Sequence, residues 1–311
     1  MKFTIALPIT KTRFLQETLD SIANQTETDF EVIIKNNGKD DTIKAEIKDL
    51  CHSWIQKPNV QYYESEHQLS MPENFNSILD KAQGEFFTVL SDDDALEPEF
   101  LKEINILTKK YKDTHVFHCK VNIINENGDI TGTTQLCPEW ESQLDFVYHR
   151  LASKRLFYLS DFVVNTAELK KIGGFNESTT GWGLDEITWS ILAFNGVAYS
   201  PNCLLKYRLF SGNFTASKAT LYNRFKDNKV IFEVQKKIIA ENCSKPNCPY
   251  DLKSLQEINK KRTQGLNDAV LYQYLNNASS LEGLKFYLKN KNDLTGIRAL
   301  KSFVKRKLLR K

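Results

Sequence analysis

The run Phe86-Phe87-Thr88-Val89-Leu90 passes directly into Ser91-Asp92-Asp93-Asp94, and this junction constrains the fold more than any other part of the chain. A short apolar run of this kind reads as a strand buried on both faces, as in sheets covered by helices on either side. Three consecutive carboxylates at its end raise one another's pKa and are costly to hold unless a cation compensates. In open α/β sheets ligands bind outside the carboxyl ends of the strands, where this cluster would lie. Taken alone, the triple Asp is also compatible with a solvated loop capping the helix that opens near Pro98.

The surrounding sequence alternates strand and helix signals. Phe3 to Leu7 reads as the first strand, and Phe14, Leu15, Leu19, Ile22 and Ala23 mark one helical face. Glu31 to Lys35 is a second strand before the turn Asn36-Asn37-Gly38. Val60 to Tyr63 is another strand, and Phe75, Ile78, Leu79 and Ala82 share one helix face ahead of Gly84. Asn127-Gly128 signals a hairpin within Val121–Gly132, so the later strands are not all parallel. The expected fold class is α/β, with a mixed, mainly parallel central sheet flanked by helices and followed by a helical C-terminal extension. From about residue 215 the pattern turns helical and basic without a glycine-rich linker, which divides the chain into a catalytic domain at 1–215 and an extension at 216–311.

The net charge of +3 conceals an asymmetry: residues 1–211 hold 21 Lys+Arg against 31 Asp+Glu, and residues 212–311 hold 21 against 8. The segment Arg298–Lys311, RALKSFVKRKLLRK, interleaves seven basic residues with Leu300, Phe303, Val304, Leu308 and Leu309. It reads either as an amphipathic helix able to lie on anionic lipid or as a solvated tail. Nucleic-acid binding is not expected, because no recognition module accompanies the charge. No run approaches the roughly 20 apolar residues needed to cross a bilayer. The apolar start is broken by Pro8 and by charges, so the expected location is cytoplasmic, at most peripheral on the inner membrane face. Six cysteines without zinc-type spacing read as reduced thiols, and the five histidines offer no ligand set beyond a His115/His118 pair.

Four segments carry a resemblance: FTIALPITKTRFLQETLDSIANQTETDFEVIIKNNGKDD (Phe3–Asp41), ENFNSILDKAQG (Glu73–Gly84), QGEFFTVLSDDDALEPEFL (Gln83–Leu101) and GGFNESTTGWGLDEITWSILAFNG (Gly173–Gly196). In order and spacing they resemble glycosyltransferase family 2, whose members share the nucleotide-diphospho-sugar fold called GT-A. The likeness covers about residues 1–215. It implies that Pro8 and Thr10 line a base pocket, that Asn37, where the family usually has Asp, contacts the base edge, and that Asp92 touches the ribose. It places Asp93 on the Mn²⁺ or Mg²⁺ that binds the diphosphate. Phe75 stands where the family commonly has an arginine. Asp185 falls on the Asp of the family's Glu-Asp pair, with Leu184 where the Glu would stand. Tyr207-Arg208 resembles a Tyr-Arg pair that ends the catalytic domain.

The chemistry of glycosyl transfer explains these residue types. Expelling a nucleoside diphosphate builds charge on the leaving oxygens, which a divalent ion neutralises, and the acceptor hydroxyl must lose a proton to a nearby carboxylate. Asp185 is the expected base, with Glu186 its rival and a neighbour of the acceptor; Trp182 either stacks on a sugar or packs in the core, and Arg208 either reaches a phosphate or forms a structural salt bridge. The expected activity is inverting transfer of one sugar from a nucleoside-diphosphate sugar, UDP being the expected carrier, to a saccharide or lipid-linked acceptor. The missing Gln-x-x-Arg-Trp motif argues against a processive synthase. The alternative is a non-catalytic carbohydrate- or nucleotide-binding protein of the same fold.

Overall fold

The computed structural model describes residues 1–177, 179–213, 221–277 and 280–295. Its strands are β1 (Phe3–Ile9), β2 (Phe30–Asn36), β3 (Val60–Glu64), β4 (Phe86–Val89), β5 (Ala95–Leu96), β6 (Val116–Ile124), β7 (Ile130–Thr133), β8 (Trp140–Glu141), β9 (Phe162–Asn165) and β10 (Val197–Arg208). The helices are α1 (Leu15–Ala23), α2 (Asp41–Leu50), α3 (His52–Ile55), α4 (Met71–Leu79), α5 (Phe100–Lys110), α6 (Gln143–Leu151), α7 (Thr166–Lys171), α8 (Leu184–Leu192), α9 (Leu221–Cys243), α10 (Leu252–Asn277) and α11 (Ser280–Asn290).

One sheet runs in the order β3-β2-β1-β4-β9-β6-β10-β5, with β7 added on β6 and β8 on β10. The β3-β2-β1-β4 half is parallel. Beyond it β9 runs antiparallel to both β4 and β6. This is the mixed, mainly parallel sheet that the sequence pattern implied, and β6–β7 is the expected hairpin, its turn tied by Asn125 Oδ1 accepting from the N–H groups of Asn127 and Asp129.

Strand periodicity explains why both faces are covered. Phe3, Ile5, Leu7 and Ile9 of β1 pack with Leu15, Leu19, Phe100 and Ile104 on one side. Ala6 of β1 and Ile33 of β2 face the other side, with Phe75, Ile78, Phe87 and Trp189. The helices are started by local polar groups: Asp40 accepts from Ile43 N–H at the head of α2, and a Ser70/Glu73 capping box with Pro72 opens α4.

The C-terminal helices do not form a core of their own throughout. Ile238 and Ile239 of α9 and Leu255 of α10 are buried in the same cluster as Phe87, Val164 and Trp189, while a smaller satellite cluster gathers Leu221, Phe225, Val270, Leu271 and Phe286. The extension therefore packs against α6 and α8. Among the described residues no helix is long and apolar enough to cross a membrane, and the basic segment 298–311 lies outside them. All six cysteines are free thiols.

Gly84 marks a point where the main chain comes very close to β1. Its N–H donates to Thr4 Oγ1 at 2.9 Å and to the buried carboxylate of Glu31, and an added Cβ would lie 2.5 Å from Phe3 C and Thr4 N. The β1 backbone cannot yield cheaply, so Gly84→Ala is expected to lower stability by roughly 1–3 kcal/mol, read as a fall in the thermal midpoint. An unchanged midpoint would mean that this junction is looser than its contacts indicate.

Candidate active site

β4 ends where β1 also ends, and the loop Ser91–Asp94 drops between them. Asp92, Asp93 and Asp94 are only 5%, 6% and 1% exposed. Asp92 Oδ2 accepts from Thr10 N–H at 2.7 Å, Thr10 Oγ1 at 3.0 Å and Lys11 N–H at 2.9 Å, which ties the acidic loop to the chain leaving β1. Asp94 faces inward, accepting from Ser160 Oγ at 2.7 Å and Arg208 N–H at 3.0 Å. Burial, reinforced by the neighbouring Asp93, pushes the Asp94 carboxyl up to about 8. Burial likewise raises Asp92.

The compensating cation is Lys11. Its ammonium lies 2.9 Å from Asp93 Oδ2 and 3.7 Å from Asp92 Oδ1. Burial works against its charge, but Asp92, Asp93 and Asp94 together raise its pKa above the usual lysine range. Lys11 was not among the residues singled out in the sequence, although an unpaired triple Asp calls for a nearby cation and Lys11 directly follows Thr10.

The structure changes the roles of three expected contacts. Asn37 is 2% exposed, and both ends of its amide are spent on Leu69: Oδ1 accepts from Leu69 N–H at 2.8 Å and Nδ2 donates to Leu69 O at 3.1 Å. It holds the loop before α4 instead of presenting an open amide to a base. Arg208 is 1% exposed and clamps the acidic loop from behind, donating from Nε to Asp93 O at 3.1 Å, from Nη1 to the carbonyls of Asn125 and Glu126, and from Nη2 to Glu17. Its guanidinium also lies 4.2 Å from the Phe14 ring centroid. Glu186, at 2% exposed, is enclosed by Arg150, Arg262 and Gln235 and does not face an acceptor.

The remaining residues sit as follows. Pro8 is buried near the end of β1, in register with Lys35 of β2. Trp182 is half-buried; its Nε1 donates to Asn228 Oδ1 at 2.9 Å, and Arg224 covers one ring face at 4.5 Å. Gly183 follows with φ 68°, and Asp185 lies in the first turn of α8. Asp185 is half-buried, less deeply than Glu186. Its Oδ1 accepts from Glu186 N–H at 2.8 Å, the one hydrogen bond at this carboxylate among the described residues. Desolvation, offset in part by Arg150, lifts the Asp185 carboxyl to about 6. The ring of Tyr158 stacks on Tyr207 at 3.7 Å between centroids, and its charge environment includes both Asp94 and Arg150, so the acidic loop and the head of α8 share one end of the sheet.

A sequence profile described as Glycosyl transferase family 2 matches residues 9–166, half of the chain, including Thr10, Asn37 and the whole acidic loop. The chain belongs to glycosyltransferase family 2. An uncharacterized glycosyltransferase of Haemophilus influenzae is 24% identical over 241 residues, covering 74% of this chain and 69% of that relative. A GalNAc(5)-diNAcBac-PP-undecaprenol beta-1,3-glucosyltransferase of Campylobacter jejuni is 32% identical over 83 residues, 26% of each protein. S. aureus TarS 1–349 in complex with UDP-GlcNAc superposes with a TM-score of 0.61 at 19% identity, covering 98% of this chain and 81% of that one. The TarS complex with UDP gives the same TM-score at 18% identity. The fold of this family 2 enzyme is thus that of nucleotide-sugar glycosyltransferases, C-terminal helices included.

The clamp role of Arg208 is testable apart from turnover. Arg208→Met removes the donor from three buried or half-buried carbonyls and should cost roughly 1–3 kcal/mol, with a matching drop in the thermal midpoint. If Arg208 instead contacted a phosphate, the midpoint would hold and only donor affinity would fall.

Proposed function

We propose that this family 2 enzyme is an inverting transferase that moves one sugar from a nucleoside-diphosphate sugar to a saccharide or lipid-linked saccharide, with a divalent cation at Asp93 and Asp185 as general base. The observation that carries the reading is the contrast between two adjacent carboxylates. Glu186 is saturated by two guanidiniums and held down to about 2, whereas Asp185 is half-buried and raised by desolvation to about 6, close to where a base works best.

The donor set suits a metal bound mainly through its substrate. Among the described residues no group of three or more His, Cys, Asp or Glu could hold an ion. Asp93 offers one carboxylate, now paired with the half-exposed Lys11 ammonium, which its long stem can withdraw. Mg²⁺ and Mn²⁺ accept such sites when diphosphate oxygens and water fill the remaining positions. When bound, the ion would neutralise the charge that grows on the leaving diphosphate. Thr10 and Asp92, tied together by hydrogen bonds, would place the nucleoside at the ends of β1 and β4.

In the transfer step the acceptor oxygen bonds to the anomeric carbon as the bond to the diphosphate oxygen breaks on the opposite face. The acceptor proton passes to Asp185, and the product carries the opposite anomeric configuration. UDP is the carrier best supported, since the TarS structures were determined with UDP-GlcNAc and UDP. A lipid-linked acceptor is in keeping with the undecaprenol-linked substrate in the name of the Campylobacter relative. Residues 1–215 would hold the reacting groups, and the basic segment 298–311 would bring the enzyme to an anionic membrane surface on its inner face.

Two variants separate this enzyme from a binding protein of the same fold. Asp93→Ala should abolish Mn²⁺-dependent UDP binding, measured by calorimetry, while leaving the thermal midpoint intact because one of three crowded carboxylates is removed; retained metal-dependent binding would reject the assignment. Asp185→Asn should bind UDP and Mn²⁺ normally yet transfer about 10²–10⁴-fold more slowly. In the parent the rate should fall as pH drops through about 6, because the base works only when ionised. A parent profile flat down to pH 5 would remove Asp185 from the role.

A further inference from the structure

Glu186 is the meeting point of four helices. On α8, its Oε2 accepts from Arg150 Nε of α6 at 2.8 Å. Arg262 of α10 adds a two-pronged contact, Nη1 to Oε1 at 2.7 Å and Nη2 to Oε2 at 2.8 Å, and Gln235 of α9 donates to Oε1. Paired guanidinium forks of this kind fix geometry as well as charge. The main-chain N–H of the same Glu186 donates to Asp185 Oδ1 at 2.8 Å, so whatever fixes Glu186 also fixes the neighbouring carboxylate. A second contact from the extension reinforces this point: Gly183, just ahead of α8, has no room for a side chain, since an added Cβ would meet Ile231 Cδ1 of α9 at 2.3 Å.

We propose that Arg262, from the C-terminal extension, is a positioning residue for transfer: with Arg150 it clamps Glu186 and thereby sets the place and charge environment of Asp185. The inference rests on the reading of Asp185 as the base. It makes the extension a component of the active site and not only an appendage, because the residue that completes the clamp lies 76 positions after Glu186 and comes from a helix outside the span matched by the family profile.

The charged groups bearing on Asp185 fix the expected sign. Arg150 of α6 lowers its pKa, while Glu186 on its own helix and Asp161, just before β9, raise it. From α9 the group facing Glu186 is the neutral amide of Gln235, and from α10 it is Arg262. Removing Arg262 leaves Glu186 less neutralised and draws Arg150 more fully onto it, so Asp185 should hold its proton to higher pH. Removing the charge of Glu186 leaves Arg150 to Asp185 alone, and the shift should reverse.

The test is the pH profile of transfer for the full chain, with UDP affinity in Mn²⁺ measured on the same preparations. Arg262→Met is expected to move the acid limb up by about one pH unit and to lower kcat while donor affinity holds. Arg262→Lys, which keeps the charge, should return the limb close to the parent value. The double variant Glu186→Gln with Arg262→Met removes one charge of each sign, guards against a folding failure of the single variant, and should move the limb below that of the parent. A lower thermal midpoint with the acid limb unmoved in both Arg262→Met and the double variant would reduce the clamp to a structural tie and overturn the proposal. Asp185→Asn, run alongside, separates the two levels: near-parental transfer there rejects the base itself, whereas a dead Asp185→Asn with an unmoved limb in the clamp variants rejects only the role of Arg262.

Discussion

Asp92, Asp93 and Asp94 occupy consecutive positions, and none is more than 6% exposed. Like charges so close cannot all be held ionised in a poorly solvated place without help, and the structure around them is arranged by how that help is delivered. Asp92 is met by backbone N–H groups and the hydroxyl of Thr10, Asp93 by the Lys11 ammonium, and Asp94 by Ser160 and the main chain of Arg208. Meeting these demands joins the ends of β1, β4 and β10 and the segment before β9 into one end of the sheet.

A second ionic centre, around Glu186, works differently. There one carboxylate is over-supplied with donors, and the result is a rigid α8 head beside a carboxylate with a raised pKa. Burying an ion pair contributes little net stability, so its value here lies in where it fixes the chain. The acidic loop is met by one ammonium, that of Lys11, while the clamp holds two guanidiniums on one carboxylate. Tyr158, stacked on Tyr207, feels the charge of both centres, through Asp94 and Arg150.

Much of the architecture was legible locally. β1, β2, β3, β4, the β6–β7 hairpin and α4 follow from two- and 3.6-residue periodicity, from the Asn127-Gly128 turn, and from Ser70 and Glu73 placed to cap a helix. The acidic loop was also legible, because a strand end bearing three carboxylates is unusual whatever surrounds it. Roles were harder to read. Asn37 and Arg208 looked like ligand contacts by family position, and each is buried with partners inside the chain: the main chain of Leu69 for Asn37, and the carbonyls of Asp93, Asn125 and Glu126 with the Glu17 carboxylate for Arg208.

The sequence by itself determined the α/β class, the order of its elements, the family, and the place of the carboxylates along the chain. It did so because these depend on local propensity, on burial patterns and on motifs that lie within a few residues of one another. Only the tertiary structure brought Lys11 onto Asp93 and set Arg150 and Arg262 on Glu186, and not on the neighbouring Asp185, across 36 and 76 residues of chain. Whether a side chain is open to a substrate or already spent depends on which distant groups reach it first, and no local pattern records that.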